Sequence, residues 1–179
     1  MKKILLGFYL SIFLLSCNSN KEKTADTTTS PDGTSKTAVD LPYKASYSSS
    51  FTADVSDADL KTVLTTYKDW SDGNISGLSK AMADTIVVDM SSGEHMKATN
   101  SDLMKRWSTY RDSLSSVTID MAAWQKMYAT DKKEGYIVTW YDETDTYKNG
   151  KVDSATYHDI NRVKDGKIVW YSQYKRPKK

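Results

Sequence analysis

A single cysteine, Cys17, is all the thiol chemistry available to this chain of 179 residues, so no internal disulfide can staple its fold. Histidine is nearly as scarce. His95 and His158 are the only two, and neither has a partner at metal-ligand spacing. Both read most simply as structural residues. The sequence also has no phosphate-binding loop and no nucleophile motif, so no metal and no cofactor is expected. It lacks any apolar run of the ~20 residues that a membrane-spanning helix requires. It has no marked excess of charge, with a formal net charge of +2. A nucleic-acid partner would call for a basic face, and none is expected.

The short apolar run that is present lies at the start. Met1-Lys2-Lys3 is followed by an apolar segment from Ile4 to Leu15, about a dozen residues, which is the layout of a secretory signal. Leu14-Leu15-Ser16-Cys17 resembles the bacterial lipobox, in which a small residue precedes an obligatory cysteine. Leu15 departs from it, since a smaller residue is commoner there. The resemblance implies a diacylglycerol on the Cys17 sulfur, cleavage before it, and the lipid bilayer as a partner. Asn18 occupies the position where an inner-membrane retention signal has Asp, so the outer membrane of a bacterial envelope is the expected location. Lipidation would also account for a lone cysteine in an exported chain.

Loss of residues 1–16 removes Lys2 and Lys3 from the 25 basic side chains, leaving a mature chain balanced against its 23 acids. Residues 17–52 comprise the lipidated cysteine and a stretch rich in Ser, Thr, Lys and Asp, with Pro31, Gly33 and Pro42. So little apolar surface cannot offset chain entropy, and a flexible tether is expected. Residues 53–179 are the size of one domain.

That domain has a readable order. Ser56 and Asp59 form a capping-box-like start for a helix whose apolar face is Leu60, Val63, Leu64, Tyr67 and Trp70. Asp72-Gly73-Asn74 ends it, and a short helix over 75–83 follows. Residues 85–90 and 94–98 read as strands around a Ser91-Ser92-Gly93 turn. Asn100 or Ser101 can cap a third helix with Leu103, Met104, Trp107, Tyr110 and Leu114 as its buried stripe. Four strands then follow, over 117–129, 135–147, 152–163 and 167–175. Asn149-Gly150 and Asp165-Gly166 supply hairpin turns. Helices set to one side of an antiparallel sheet make an α+β domain.

The domain resembles the nuclear transport factor 2-like family, which includes SnoaL-like polyketide cyclases and ketosteroid isomerases. The best local match is His158-Asp159-Ile160-Asn161-Arg162-Val163-Lys164-Asp165-Gly166-Lys167-Ile168-Val169, supported by Leu64-Thr65-Thr66-Tyr67 and by Met82-Ala83-Asp84 before the first strand. The resemblance implies a cone, with a curved sheet wrapped around a pocket that helices close. It also implies that Asp159 matches the acid that donates to an oxyanion in the isomerases. Met90 stands at their general-base position, and a thioether takes no proton.

Two-residue turns at both hairpins would place Lys164 opposite Lys167, Asn161 opposite Trp170, Asp159 opposite Ser172 and Trp140 opposite Asp159. One face would then present Trp140, Asp159, Asn161, Trp170 and Ser172, unless a β-bulge shifts the register. With Met90 and Trp107, these are the pocket candidates. An aromatic-lined cavity for a small apolar or amphipathic ligand is the leading expectation, and a filled aromatic core is its alternative. A lyase or isomerase using Asp159 is a second reading, and it would fail if Asp159 were tied to Arg162 at the surface. A homodimer through the sheet is a third.

Overall fold

A computed structural model describes residues 40–178. The calls on Cys17, on the signal peptide over 1–16 and on most of the tether fall outside the described residues. Pro42 onwards forms one compact unit. Its elements in chain order are β1 (Phe51–Thr52), α1 (Asp57–Asp72), α2 (Ile75–Ala81), β2 (Met82–Asp89), β3 (His95–Thr99), α3 (Asn100–Arg111), β4 (Leu114–Ala129), β5 (Glu134–Tyr147), β6 (Val152–Lys164) and β7 (Lys167–Pro177). The fold is α+β. One seven-stranded sheet runs in the order β1-β4-β5-β6-β7-β2-β3. Only the β2–β7 pair is parallel.

The helices start and stop where local chemistry requires. The Ser56 hydroxyl accepts from the Asp59 N–H at 3.0 Å and donates to the Asp59 carboxylate at 2.7 Å. Gly73 closes α1 at φ 71°, a left-handed conformation that glycine adopts without a Cβ penalty. The cap of α3 is Thr99, one residue before the expected Asn100 or Ser101. Its hydroxyl has a reciprocal partner in Asp102, the same box that opens α1. Asn100 instead bridges α2 and β2 through its amide, which donates to the Ser79 and Met82 carbonyls. Leu114 was expected on the helix, but it is the first residue of β4 and is buried there.

Two hairpins set the faces of the sheet, and each departs from the simplest turn by one residue. Lys164 lies opposite Lys167 as expected, with Asp165 at φ 52° and Gly166 at φ 74°, as a two-residue type I′ turn needs. Val169 is then an extra residue on β7, so Arg162 pairs with Trp170, Asn161 with Tyr171 and Asp159 with Gln173. At the other hairpin the loop is Lys148-Asn149-Gly150, with Tyr147 bonded to Lys151 and only Gly150 at positive φ. Trp140 therefore pairs with His158, and Thr139 with Asp159. Side chains alternate along a strand, so a shift of one residue sends a side chain to the other face.

The helices cover the inner face. Val63, Leu78, Ile86, Leu103, Ile137 and Ile168 pack there with almost no exposure. Each such aliphatic side chain contributes about 2 kcal/mol when fully buried. Bulges in β4 after Leu114 and Met121 bend that strand. The expected domain start at residue 53 cuts through structure that begins earlier. Phe51 and Thr52 pair with Ala129 and Tyr128. Ser48 donates to Asp131, and the Tyr47 hydroxyl reaches Glu134 and Tyr136. Low hydropathy concealed these contacts because they are polar and made at the open end of a strand pair.

Candidate functional site

Between the inner face and the helices lies a cavity of about 340 Å³. The first helix contributes Thr66, Tyr67 and Trp70, and α3 contributes Trp107 and Tyr110. Met82 at the start of β2 and Met90 just past its end also line it. The sheet supplies Tyr141 and Glu143 from β5, Tyr157 and Asn161 from β6, and Tyr171 and Gln173 from β7. Ser91, Arg106, Tyr110 and Lys175 are the exposed residues of its lining.

Asp159 lies beneath this lining and has no solvent exposure. Three phenols donate to its Oδ2: Tyr141 at 2.9 Å, Tyr67 at 3.0 Å and Tyr171 at 3.2 Å. Its Oδ1 has no partner among the described residues. Burial pushes the Asp159 carboxyl up to about 7, and the three phenol bonds hold it down against that. Burial likewise raises Tyr67, Tyr141 and Tyr171, with the Asp159 charge adding to it, so all three stay protonated as donors. Asn161 donates to the Tyr67 hydroxyl at 3.3 Å, and, with the Tyr67 proton directed at Asp159, the Thr139 hydroxyl donates to the same oxygen at 2.6 Å.

A second carboxyl faces the cavity directly. Glu143 is 9% exposed, and burial pushes it up to about 8, with the charges of Asp145 and Asp159 adding to the shift. Asp145, two residues along the same face, is also raised by burial and accepts from the Tyr110 hydroxyl at 2.9 Å. Its Oδ1 has no other partner among the described residues. The proton that burial keeps on Glu143 can be donated to Asp145.

Of the residues singled out from sequence, Met90, Trp107 and Asn161 line the cavity, and Asp159 forms its floor one layer down. Trp140, Trp170 and Ser172 do not reach it. The two one-residue shifts put them on the outer face. Trp140 stacks there on His158 at 5.0 Å, and the Trp170 indole donates to Asp89 at 2.7 Å. Ser172 is buried between its neighbours Ile160 and Asp89. Arg162 pairs with Glu134 at 3.0 Å, also outside, so it does not meet Asp159. The sequence reading missed Glu143 and the tyrosine trio. The alternation Tyr141, Glu143, Asp145 on β5 was a readable signal: two acids two residues apart continuing the buried face that starts with Ile137, Thr139 and Tyr141. Among the described residues, no group of three or more His, Cys, Asp or Glu is gathered to hold a metal.

No family model matches the sequence, and no curated protein is found similar to it. Solved structures do share its fold. An LEH-like epoxide hydrolase of Mycobacterium tuberculosis superposes with a TM-score of 0.57 at 8% identity, over 67% of this chain and 84% of that one. A protein assigned as a SnoaL-like polyketide cyclase from Jannaschia sp. CCS1 gives 0.56 at 9% identity, over 68% and 88%. A nuclear transport factor 2-like protein of unknown function from Burkholderia xenovorans LB400 gives 0.53 at 17% identity, over 69% and 86%. At these identities the likeness is one of fold, the nuclear transport factor 2-like cone, and fold does not carry activity with it.

Proposed function

We propose that this chain is a lipid-anchored protein of the bacterial envelope whose cone-shaped domain holds a small amphipathic molecule without transforming it. The observation that carries the binding half is the aromatic cavity of about 340 Å³, large enough for a compact ligand. The non-catalytic half rests on two placements. Asp159 is screened from the cavity by three phenols, and Met90 occupies the position at which the resemblance would require a base. Native mass spectrometry of the domain recovered from its own envelope fraction tests the binding half. Retained small-molecule mass supports it, and a cavity that neither retains a molecule nor responds to any added one sinks it.

The anchor rests on Met1 to Cys17 alone. Labelled palmitate should enter the chain and should be lost in Cys17→Ser, with the protein moving from the outer-membrane fraction to the soluble one. Unlabelled wild-type protein would reject the anchor. A second copy of the chain is proposed as a partner through the outer face, where Phe51 and Tyr174 are exposed. A monomer mass by light scattering at working concentration would dismiss it.

One observation favours a second reading, a lyase or isomerase. Asp159 titrates near neutrality and is wired to the cavity through Tyr67, Tyr141 and Tyr171, so a phenol could pass its proton to a ligand oxygen. Turnover of a β,γ-unsaturated ketone or a cyclic epoxide by the wild type, abolished in Asp159→Asn, would establish it in place of the binding reading.

A further inference from the structure

Resting on the binding reading, we propose that the ligand is an organic cation, an alkylammonium group held beside Glu143 and Asp145 among the rings of Trp70, Tyr110, Tyr141 and Tyr157. The first ground is the distribution of charge. Both basic side chains that line the cavity are already engaged. The Arg106 guanidinium makes a two-point contact with Glu94, at 2.6 and 2.5 Å, and the Lys175 ammonium bonds Asp153 at 2.9 Å. In contrast, Glu143, Asp145 and Asp159, each 9% exposed or less, form no salt bridge among the described residues. Buried carboxyls without a cationic partner are costly; Glu143 lines the cavity with Asp145 and Asp159 close behind it, and the one cation acting on this group, Lys175, does so from its pairing with Asp153.

The second ground is the wall. Trp70 stacks on Tyr110 and Tyr141 on Tyr157, so the carboxyls lie among π-systems whose faces attract cations. The rim already shows the preference: the Lys175 ammonium sits 5.6 Å from the centre of the Tyr157 ring. Glu143 keeps a proton near neutrality, as burial and the neighbouring charges of Asp145 and Asp159 require. Tyr141, Tyr157 and Tyr171 face it from the sheet as neutral phenols, Trp70 and Tyr110 from the helices, and Arg106 and Lys175 are spent at the mouth. A bound cation takes the place of that proton, which leaves to solvent. Cation affinity therefore rises with pH and levels off above about 8.

The test titrates the full chain with choline, with its uncharged carbon isostere 3,3-dimethylbutan-1-ol, and with the larger neutral probe 2-naphthol. Fluorescence of Trp70 and Trp107 is the readout. At pH 8.5 choline should bind about tenfold tighter than the alcohol or more, and its affinity should fall about tenfold or more at pH 6. Glu143→Gln, checked for folding by its melting transition, should lose that preference. An alcohol that binds as tightly as choline, or 2-naphthol binding with no choline response, overturns the cation while leaving the binding reading in place. Silence with all three probes overturns both.

Discussion

The two faces of the sheet treat the same chemical group in opposite ways. On the outer side and at the rims, carboxylates meet charged or ring nitrogen partners. His95 and the Trp170 indole hold Asp89 below the usual carboxylate range, Arg106 does so for Glu94, and Lys178 for Asp142. Glu134 is held low by the Tyr136 and Tyr47 phenols, with Arg162 helping. On the inner side Asp159 and Glu143 meet only neutral donors and other carboxyls, Asp145 among them, and burial drives both upward. The chain is thus not short of basic residues; the two that line the cavity, Arg106 and Lys175, are tied to Glu94 and Asp153. One sheet thus separates a surface whose carboxylates are paired from one whose carboxyls have no cationic partner.

That contrast can be broken hardest at Asp159. Asp159→Ala strands three phenols without an acceptor and opens a hole, and should cost about 3 kcal/mol by denaturant unfolding. Asp159→Asn keeps acceptors in place and should cost clearly less. Equal losses would mean that the tyrosines do not depend on this side chain.

The pH dependence comes next. An acid raised in the folded state binds more protons there than when unfolded, so its stabilising effect is full below about pH 4. That effect is lost as pH climbs through about 7 for Asp159 and about 8 for Glu143. Stability should therefore decline across that window by a few kcal/mol, and Asp159→Asn with Glu143→Gln should flatten the decline. The outer carboxylates Asp89, Glu94 and Asp142 act in the reverse direction, losing their contribution only as pH falls through their lowered values. A melting profile that rises from pH 5 to pH 8 would refute the inner-face description.

Smaller effects separate the tryptophans. Trp170→Phe removes the donor to Asp89 and should cost about 1 kcal/mol, with cavity probes responding as before. Trp107→Phe should alter the probe response itself. The smallest effect is expected at the hairpin. Deleting Lys148 converts the three-residue loop to Asn149-Gly150, a favoured two-residue turn, while Tyr147 stays opposite Lys151. Stability should change by less than about 1 kcal/mol and strand pairing not at all, as cross-strand amide contacts would report. A change of register would show that the turn, and not the buried face, sets the pairing.

What could be read from sequence divides along the same lines. Helix caps at Ser56 and Gly73, the turn at Asp165-Gly166 and the order of elements are local, and local chemistry determined them. The occupants of the cavity were not local. One extra loop residue at Lys148 and one extra strand residue at Val169 exchanged Trp140 and Trp170 for Tyr141 and Tyr171. Neither insertion leaves a compositional mark, because Asn149-Gly150 suits both loop lengths and Val169 is a good strand residue in either register. Asp159 and Asn161 stayed inside because both shifts changed their partners and not their own alternation.

The lone parallel pairing of β2 with β7 carries a consequence for assembly. β7 is the piece that joins β2 and β3 to the rest of the sheet. Met82 meets Ile168 and Val87 meets Trp170 across more than eighty intervening residues. Such a join closes late, since loop entropy is spent before the contact repays it. Until β7 arrives the two halves have no shared strand, and Tyr171 cannot reach Asp159. Among the described strands the last in chain order is therefore the one that completes the cavity floor, and a lesion within 167–177 would act as an assembly defect wherever the ligand contacts lie.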